Sequence, residues 1–301
     1  PLPVGSQPEV MIQRRVTGES AQIQTQKMDY KANIRIIDGA VMTQGGSTLE
    51  LRYCSGGGAF NGTSCPGGQT VVNPVSSTTF YKYRNGKTVS STDIDINKLR
   101  NSPALSSFTS GVVVYASDRR NAGANPLSSA NNNVVRLING STLPVKGLTV
   151  ATENPIYVKG NYNTVSKQPA GVIGDSFNVL SNNWADANSA SGIGSRTASD
   201  TTINTAVIAG NTNTSVGTYN GGFENLPRFL ENWSGRTATY SGSVIVLYNS
   251  KIATGNWIYG GNYYTAPVRN WGFDTALSGS SYSIPGFPDV YNIAKSSYEA
   301  A

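Results

Sequence analysis

The sequence predicts a mostly β protein, a right-handed parallel β-helix-like solenoid with short helices, and three observations carry that expectation. Charged residues make up 13% of the 301-residue chain, about half of the roughly 25% usual for a soluble globular domain, so long Glu/Lys/Arg-rich surface helices have little to be built from. Neutral polar residues replace them, with 33 glycines and abundant Asn, Ser and Thr, a composition that suits strands joined by tight turns. From Gly111 onward short apolar runs recur: "GVVVYAS", "NVVRLING", "GLTVATENPIYVKGN", "AGVIGDSFNVLSNN", "TTINTAVIAGN" and "SGSVIVLYNS". Several end in Asn or Gly. In a solenoid each rung buries its inward Val, Ile and Leu against the rungs above and below, while Asn and Gly turn the corners. A β-sandwich of equally short strands is the competing fold.

Taken in order, residues 1–110 are expected to form an N-terminal extended arm and a β-hairpin region with a disulfide loop, and residues 111–301 the solenoid domain. Residues 1–30, rich in Gln and Pro and poor in large apolar groups, read as an arm that orders mainly against a partner surface. "NIRIIDGAVM" places a period-two pair, Ile34 and Ile36, ahead of the hairpin turn Asp38-Gly39. Cys54 and Cys65 bracket the Gly-rich "SGGGAFNGTS" with no metal-ligating partners nearby. A disulfide between them would stabilise by roughly 3 kcal/mol and implies an oxidising compartment. In "TTFYKYRNGKTVSSTDIDI", Asn85-Gly86 reads as a type I′ turn between Phe80/Tyr81/Tyr83 and Val89. "DIDINKLRNSPAL" reads as a strand running into a helical turn near Asn97 to Arg100. Asp93 and Asp95 alternate with Ile94 and Ile96, so they form a strand's polar face more simply than a calcium pair.

The stretch "GGFENLPRFLENWSGRT" from Gly221 to Thr237 concentrates charge and aromatic rings. Phe223, Leu226, Phe229, Leu230 and Trp233 fall at helical spacing, Pro227 suits a first turn and Gly235 a stop, which predicts a short amphipathic helix. Glu224 would sit near the helix's positive end, and Arg228 with Glu231 would form an i,i+3 pair. Glu224 and Glu231 are also conceivable as the carboxyl pair of a glycosidase. Local helix-end and ion-pair roles account for both, so they are assigned to architecture, with Phe229 and Trp233 buried, and no catalytic residue, cofactor or metal is assigned.

Histidine is absent, which removes Ser-His-Asp and Cys-His catalysis and His-ligated metals. The net charge of +6 is scattered, its densest clusters being Arg14-Arg15 and Arg119-Arg120, so no nucleic acid is expected. No apolar stretch approaches the ~20 residues of a membrane span. The chain opens on the Pro-rich "PLPVGSQPEV" without Met, which reads as a processed product whose export signal lay upstream. Trp184, Trp257 and Trp271 with Tyr259, Tyr263 and Tyr264 offer a sugar-stacking platform, though core positions account for them more simply.

"FYKYRNGKTVSSTDIDINKL", "GLTVATENPIYVKGNYN", "GVIGDSFNVLSNNWADANS", "TTINTAVIAGN", "GGFENLPRFLENWSGRTATYSGSVIVLY" and "PVRNWGFD" together resemble the uncharacterised C-terminal domain of bacterial PilX-type pilus assembly proteins, which are minor type IV pilin-like. The resemblance spans Tyr30 to about Asp274. It implies an exported, non-enzymatic structural or adhesive subunit of a cell-surface or pilus-related assembly, extracellular or periplasmic, whose partners are other protein subunits, including copies of itself. The family is associated with an N-terminal apolar helix that this chain lacks. The alternatives are a carbohydrate-active β-helix enzyme and a glycan-binding module.

Overall fold

Among the described residues, sixteen strands are built largely from the Val-, Ile- and Thr-rich runs. They are β1 (Ile34–Ile37), β2 (Ala40–Thr43), β3 (Tyr53–Cys54), β4 (Val71–Val72), β5 (Val75–Lys82), β6 (Lys87–Asp95), β7 (Val112–Ser117), β8 (Asn133–Ile138), β9 (Leu148–Thr152), β10 (Ile156–Lys159), β11 (Ala170–Gly174), β12 (Phe177–Leu180), β13 (Thr201–Ala209), β14 (Arg228–Phe229), β15 (Thr237–Val246) and β16 (Val268–Phe273). The helices are short: α1 (Ala21–Gln24), α2 (Met28–Lys31) and α3 (Ile96–Arg100). The structure, a computed structural model, describes residues 6–120, 133–210, 226–246, 263–279 and 282–287. The mostly β expectation holds.

From β7 to β15 successive strands alternate between two sheets, and within each sheet every one lies parallel to the next. The first sheet has the order β16-β15-β13-β11-β9-β7-β1-β2 and the second β14-β12-β10-β8-β6-β5. Antiparallel pairing is confined to the hairpins β1–β2 and β5–β6 and to the small β3–β4 pair. The register stacks like on like. Ile34, Val114, Val150, Val172, Val207 and Val244 form one row across the first sheet. Ile94, Leu137, Val158, Val179 and Phe229 form another across the second. Both rows point into the core shared by the two sheets, where each fully buried aliphatic side chain contributes about 1.5–3 kcal/mol.

Local turn chemistry matches the reading at Asp38-Gly39, whose φ values of 52° and 89° supply the two left-handed residues of the β1–β2 turn. At Asn85-Gly86 it differs. Lys82 pairs with Lys87, leaving a four-residue connection in which Tyr83–Asn85 is a 3-10 turn and only Gly86, at φ 64°, is left-handed. A type I′ turn needs both central residues there. The expected helical turn is α3, capped by Asp95, which accepts from the Lys98 amide. Cys54 and Cys65 are disulfide-bonded, tying β3 to the following loop. Both sheets run through the expected boundary at 110/111, because β1 pairs with β7 and β6 with β8.

The N-terminal arm is the main departure. Its described part lies on the outer face of the first sheet, where Ile12, Met28 and Ala32 cluster with Val113, Tyr115, Ala151, Ile173 and Ile208. The Tyr115 hydroxyl donates to the Ile12 carbonyl at 2.9 Å, and the Arg14 amide donates to Glu153 at 3.1 Å. Lys27 is buried, donating to the Arg14 carbonyl at 2.9 Å and pairing with Glu19. Two well-placed apolar residues, Ile12 and Met28, suffice because the sheet face beneath them is itself apolar. The segment is therefore part of the fold without any partner. We expect trypsin to spare the bonds after Arg14, Arg15 and Lys27 in the isolated monomer. Ile12→Ala, costing about 2–5 kcal/mol, should open them first; early cleavage there in the parent chain contradicts this packing.

Candidate functional site

The segment singled out for its charges and rings is extended over its described part. Arg228 and Phe229 pair with Asn178 and Val179 as β14 after a cis Leu226-Pro227 bond, and Asn232 bridges Thr197 on one side and Thr265 on the other. Among the described residues of this segment the expected helix is absent, and with it the i,i+3 geometry for Arg228 and Glu231. Strand alternation takes its place: Phe229 enters the inter-sheet core and Leu230 the opposite cluster with Phe80, Tyr157 and Trp184. Phe229 and Trp233 are buried as expected, ring centroids 5.2 Å apart. Phe223 and Glu224 lie outside the described residues.

Glu231 is buried, and its two oxygens accept from the Ser181 amide and hydroxyl, each at 2.6 Å. Burial pushes its carboxyl above the ordinary range, outweighing the Ser181 hydrogen bonds and the field of Arg196. It joins one turn to a turn 50 residues earlier. Other buried charges act similarly. Arg136 forks between Asp93 and Asp186 at 2.6 Å to each, and Glu153 receives Arg119 at 2.6 Å. Asp29 takes Arg15 and Arg35; burial pushes its carboxyl up, but those two partners win and hold it below the ordinary range. Asp93 and Asp95 are thus engaged with Arg136 and the α3 cap, and the described residues contain no cluster able to hold a metal ion.

The open feature is at the end of the first sheet. All six residues of β16 are exposed, and among the described residues the strand has one neighbour, β15. Its register covers Thr237 to Gly242 only. Around that point Phe177, Tyr240 and Val244, together with Pro227, Trp271 and Phe273, line a groove of about 470 Å³. Val268 and Phe273 are 58% and 60% exposed. Arg269 lies 5.0 Å from the Trp271 ring centroid, and the indole N–H donates to the Ala238 carbonyl. Of the aromatic platform, Trp184 and Tyr263 are buried and Tyr264 packs on the core, while Trp257 and Tyr259 lie outside the described residues. Phe273 went unnoticed in the sequence; the alternation Arg269, Trp271, Phe273 on one strand face is the signal that marks it.

Compared with known proteins, the chain matches no family model, no curated protein and no solved structure. The residues themselves must carry the functional argument.

Glu231 gives a test of its structural role. Glu231→Gln keeps an acceptor for the Ser181 amide and should change stability by about 1 kcal/mol or less, whereas Glu231→Ala strands buried donors and should cost about 1–3 kcal/mol. Because the folded pKa is raised, the parent residue's contribution is full below the ordinary carboxylate range and declines as pH rises through the folded value. Urea unfolding across a pH series should show that decline in the parent and its absence in Glu231→Gln. Equal losses in both variants would contradict the assignment.

Proposed function

We propose that this chain is an exported, non-enzymatic structural subunit of a bacterial cell-surface assembly, built as a parallel β-solenoid and pilus-related by its resemblance to PilX-type domains. It meets another protein subunit along β16. The observation that carries this reading is the edge of β16, which no second strand covers among the described residues, beside an apolar groove. An unpaired strand edge offers a row of N–H and C=O groups, and the occupant that satisfies such a row is an extended polypeptide, whose alternate side chains fill the flanking pocket. The disulfide fits an oxidising compartment. Two-sheet alternation with in-register stacking supports the solenoid description.

The glycan-binding alternative draws on Trp271 and Phe273. Against it, the Arg269 guanidinium stacks on Trp271 where a sugar face would lie. The two readings separate in one experiment. Val268→Lys combined with Phe273→Lys alters exposed positions, so folding stability should hold to within the ~0.5 kcal/mol usual for surface changes. Cross-linking in the native envelope should lose the protein neighbour in the variant. A parent chain that has no protein neighbour there and binds polysaccharide through Trp271 would replace this proposal with the glycan one.

A further inference from the structure

The core between the two sheets opens into a cleft at each of its ends. At the end that carries the last strands, the groove beside β16 is bounded by Tyr240, Val244, Trp271 and Phe273 of the first sheet and by Phe177 of the second. At the end that carries the first strands, a cleft of about 480 Å³ is bounded by Val41 of β2 and by Val75 and Ser77 of β5, and is lined as well by Leu49 and Leu51. Leu51 and Phe177 belong to one core cluster, and Val41, Leu49, Val75, Tyr240 and Val244 pack against it partly buried. The same core therefore runs out at both ends in apolar side chains that are only partly covered.

The first-strand end also leaves backbone open. The Asp95 amide donates to the Pro74 carbonyl at 2.9 Å, so by strand alternation the even-numbered residues of β5 face β6, while Val75, Ser77, Thr79 and Tyr81 turn their amides outward. Val75 donates to the Asn73 side chain at 3.1 Å and Tyr81 to the Ser189 hydroxyl at 2.8 Å. Between these two capped positions Ser77 and Thr79 are exposed, and their backbone makes no outward hydrogen bond among the described residues. Charges at this cleft are already matched, Arg52 with Glu50 and Arg120 with Asp118. What the cleft offers is apolar contact and a strand edge.

We infer that the protein met at β16 is a second copy of this chain, docked head to tail, with Trp271 and Phe273 of one copy entering the Val41, Leu49 and Val75 cleft of the next; the inference rests on the reading of β16 as a junction. A body that continues both walls of either cleft brings two sheets at this spacing with apolar side chains between them. The chain's own opposite end is such a body. The strand orders set first sheet over first and second over second, so that β5 faces the β14 end and β16 faces the strip 47–49 that pairs along β2. Apolar projections stand at one end, where Trp271 and Phe273 are exposed, and the apolar recess lies at the other. Contact between two different patches of one chain is heterologous, so each copy keeps a free end for the next.

The test is sedimentation velocity of the full chain over a concentration series, with two variants. The tail variant, Val268→Lys with Phe273→Lys, changes exposed positions on β16; the head variant, Thr48→Lys with Ser77→Lys, changes exposed positions at the other cleft. The parent should self-associate, and each variant alone should do so about tenfold or more weakly at an unchanged melting temperature. Mixed together, the two variants should form a one-to-one dimer and nothing larger, because one intact head and one intact tail remain between them. Loss of association confined to one variant overturns the head-to-tail arrangement, and loss confined to the tail variant marks a symmetric contact through β16 instead. A parent that stays monomeric throughout, or variants that associate as the parent does, overturns the inference. In that event a different protein cross-linked at β16 in the native envelope leaves the junction itself standing, whereas no protein neighbour there removes both readings.

Discussion

In-register stacking of β-branched side chains along parallel strands is the constraint on which everything else in this structure depends. The row Ile34, Val114, Val150, Val172, Val207 and Val244 runs through six strands, and each member sits directly over the next. A shift of one residue in any strand would turn its aliphatic set away from the core. Packing between the two sheets is tight as well, since a Cβ at Gly174 of β11 would lie 2.7 Å from Ile156 of β10. The turns between strands are free to vary in length so long as they return the next strand in register. That freedom explains why the apolar runs recur at uneven intervals.

Two parallel sheets that share a core leave two outer faces, and each is closed differently. The N-terminal segment and residues 282–287 cover the first: Thr149 donates to the Pro285 carbonyl, and Phe287 lies so near Gly171 that a Cβ there would be 2.2 Å from its ring. The β5–β6 tip covers part of the second through Phe80. Cations accompany both covers, but their settings differ. On the first face Arg14, Arg15 and Arg35 meet Asp38, Asp29 and Glu153, a closed set of pairs. On the second, Arg136 forks between Asp93 and Asp186, while burial lowers the pKa of Lys82 and of Arg196.

Much of this was legible in the sequence where the determinant is local. Asp38-Gly39 makes its turn by its own backbone preference, the helical turn near Asn97 to Arg100 follows its strand directly, and the two cysteines have only each other. Legibility fails where a partner far along the chain decides. The aromatic spacing from Phe229 to Trp233 fits a helix, but pairing with Val179 and the hydrogen bonds from Ser181 to Glu231 hold it extended. Lys82 and Arg84 read as ordinary hairpin residues because nothing in "YKYRNGK" reveals that the tip folds onto Tyr157 and Arg228. The N-terminal segment looked too polar to pack, since the apolar surface that receives Ile12 and Met28 is assembled from four distant strands.

The groove follows from the same stacking constraint that builds the core. Every interior strand of the first sheet from β7 to β13 has its valine row covered on both sides, but β16 pairs only with the first six residues of β15. Val244 therefore receives Val207 on one side and lacks a strand of β16 on the other. A row of stacked side chains that ends in mid-strand necessarily leaves both an apolar floor and an unmatched stretch of backbone at the same place. A strand added there would complete the row without disturbing any pairing already made, which is why the proposed junction falls at this edge.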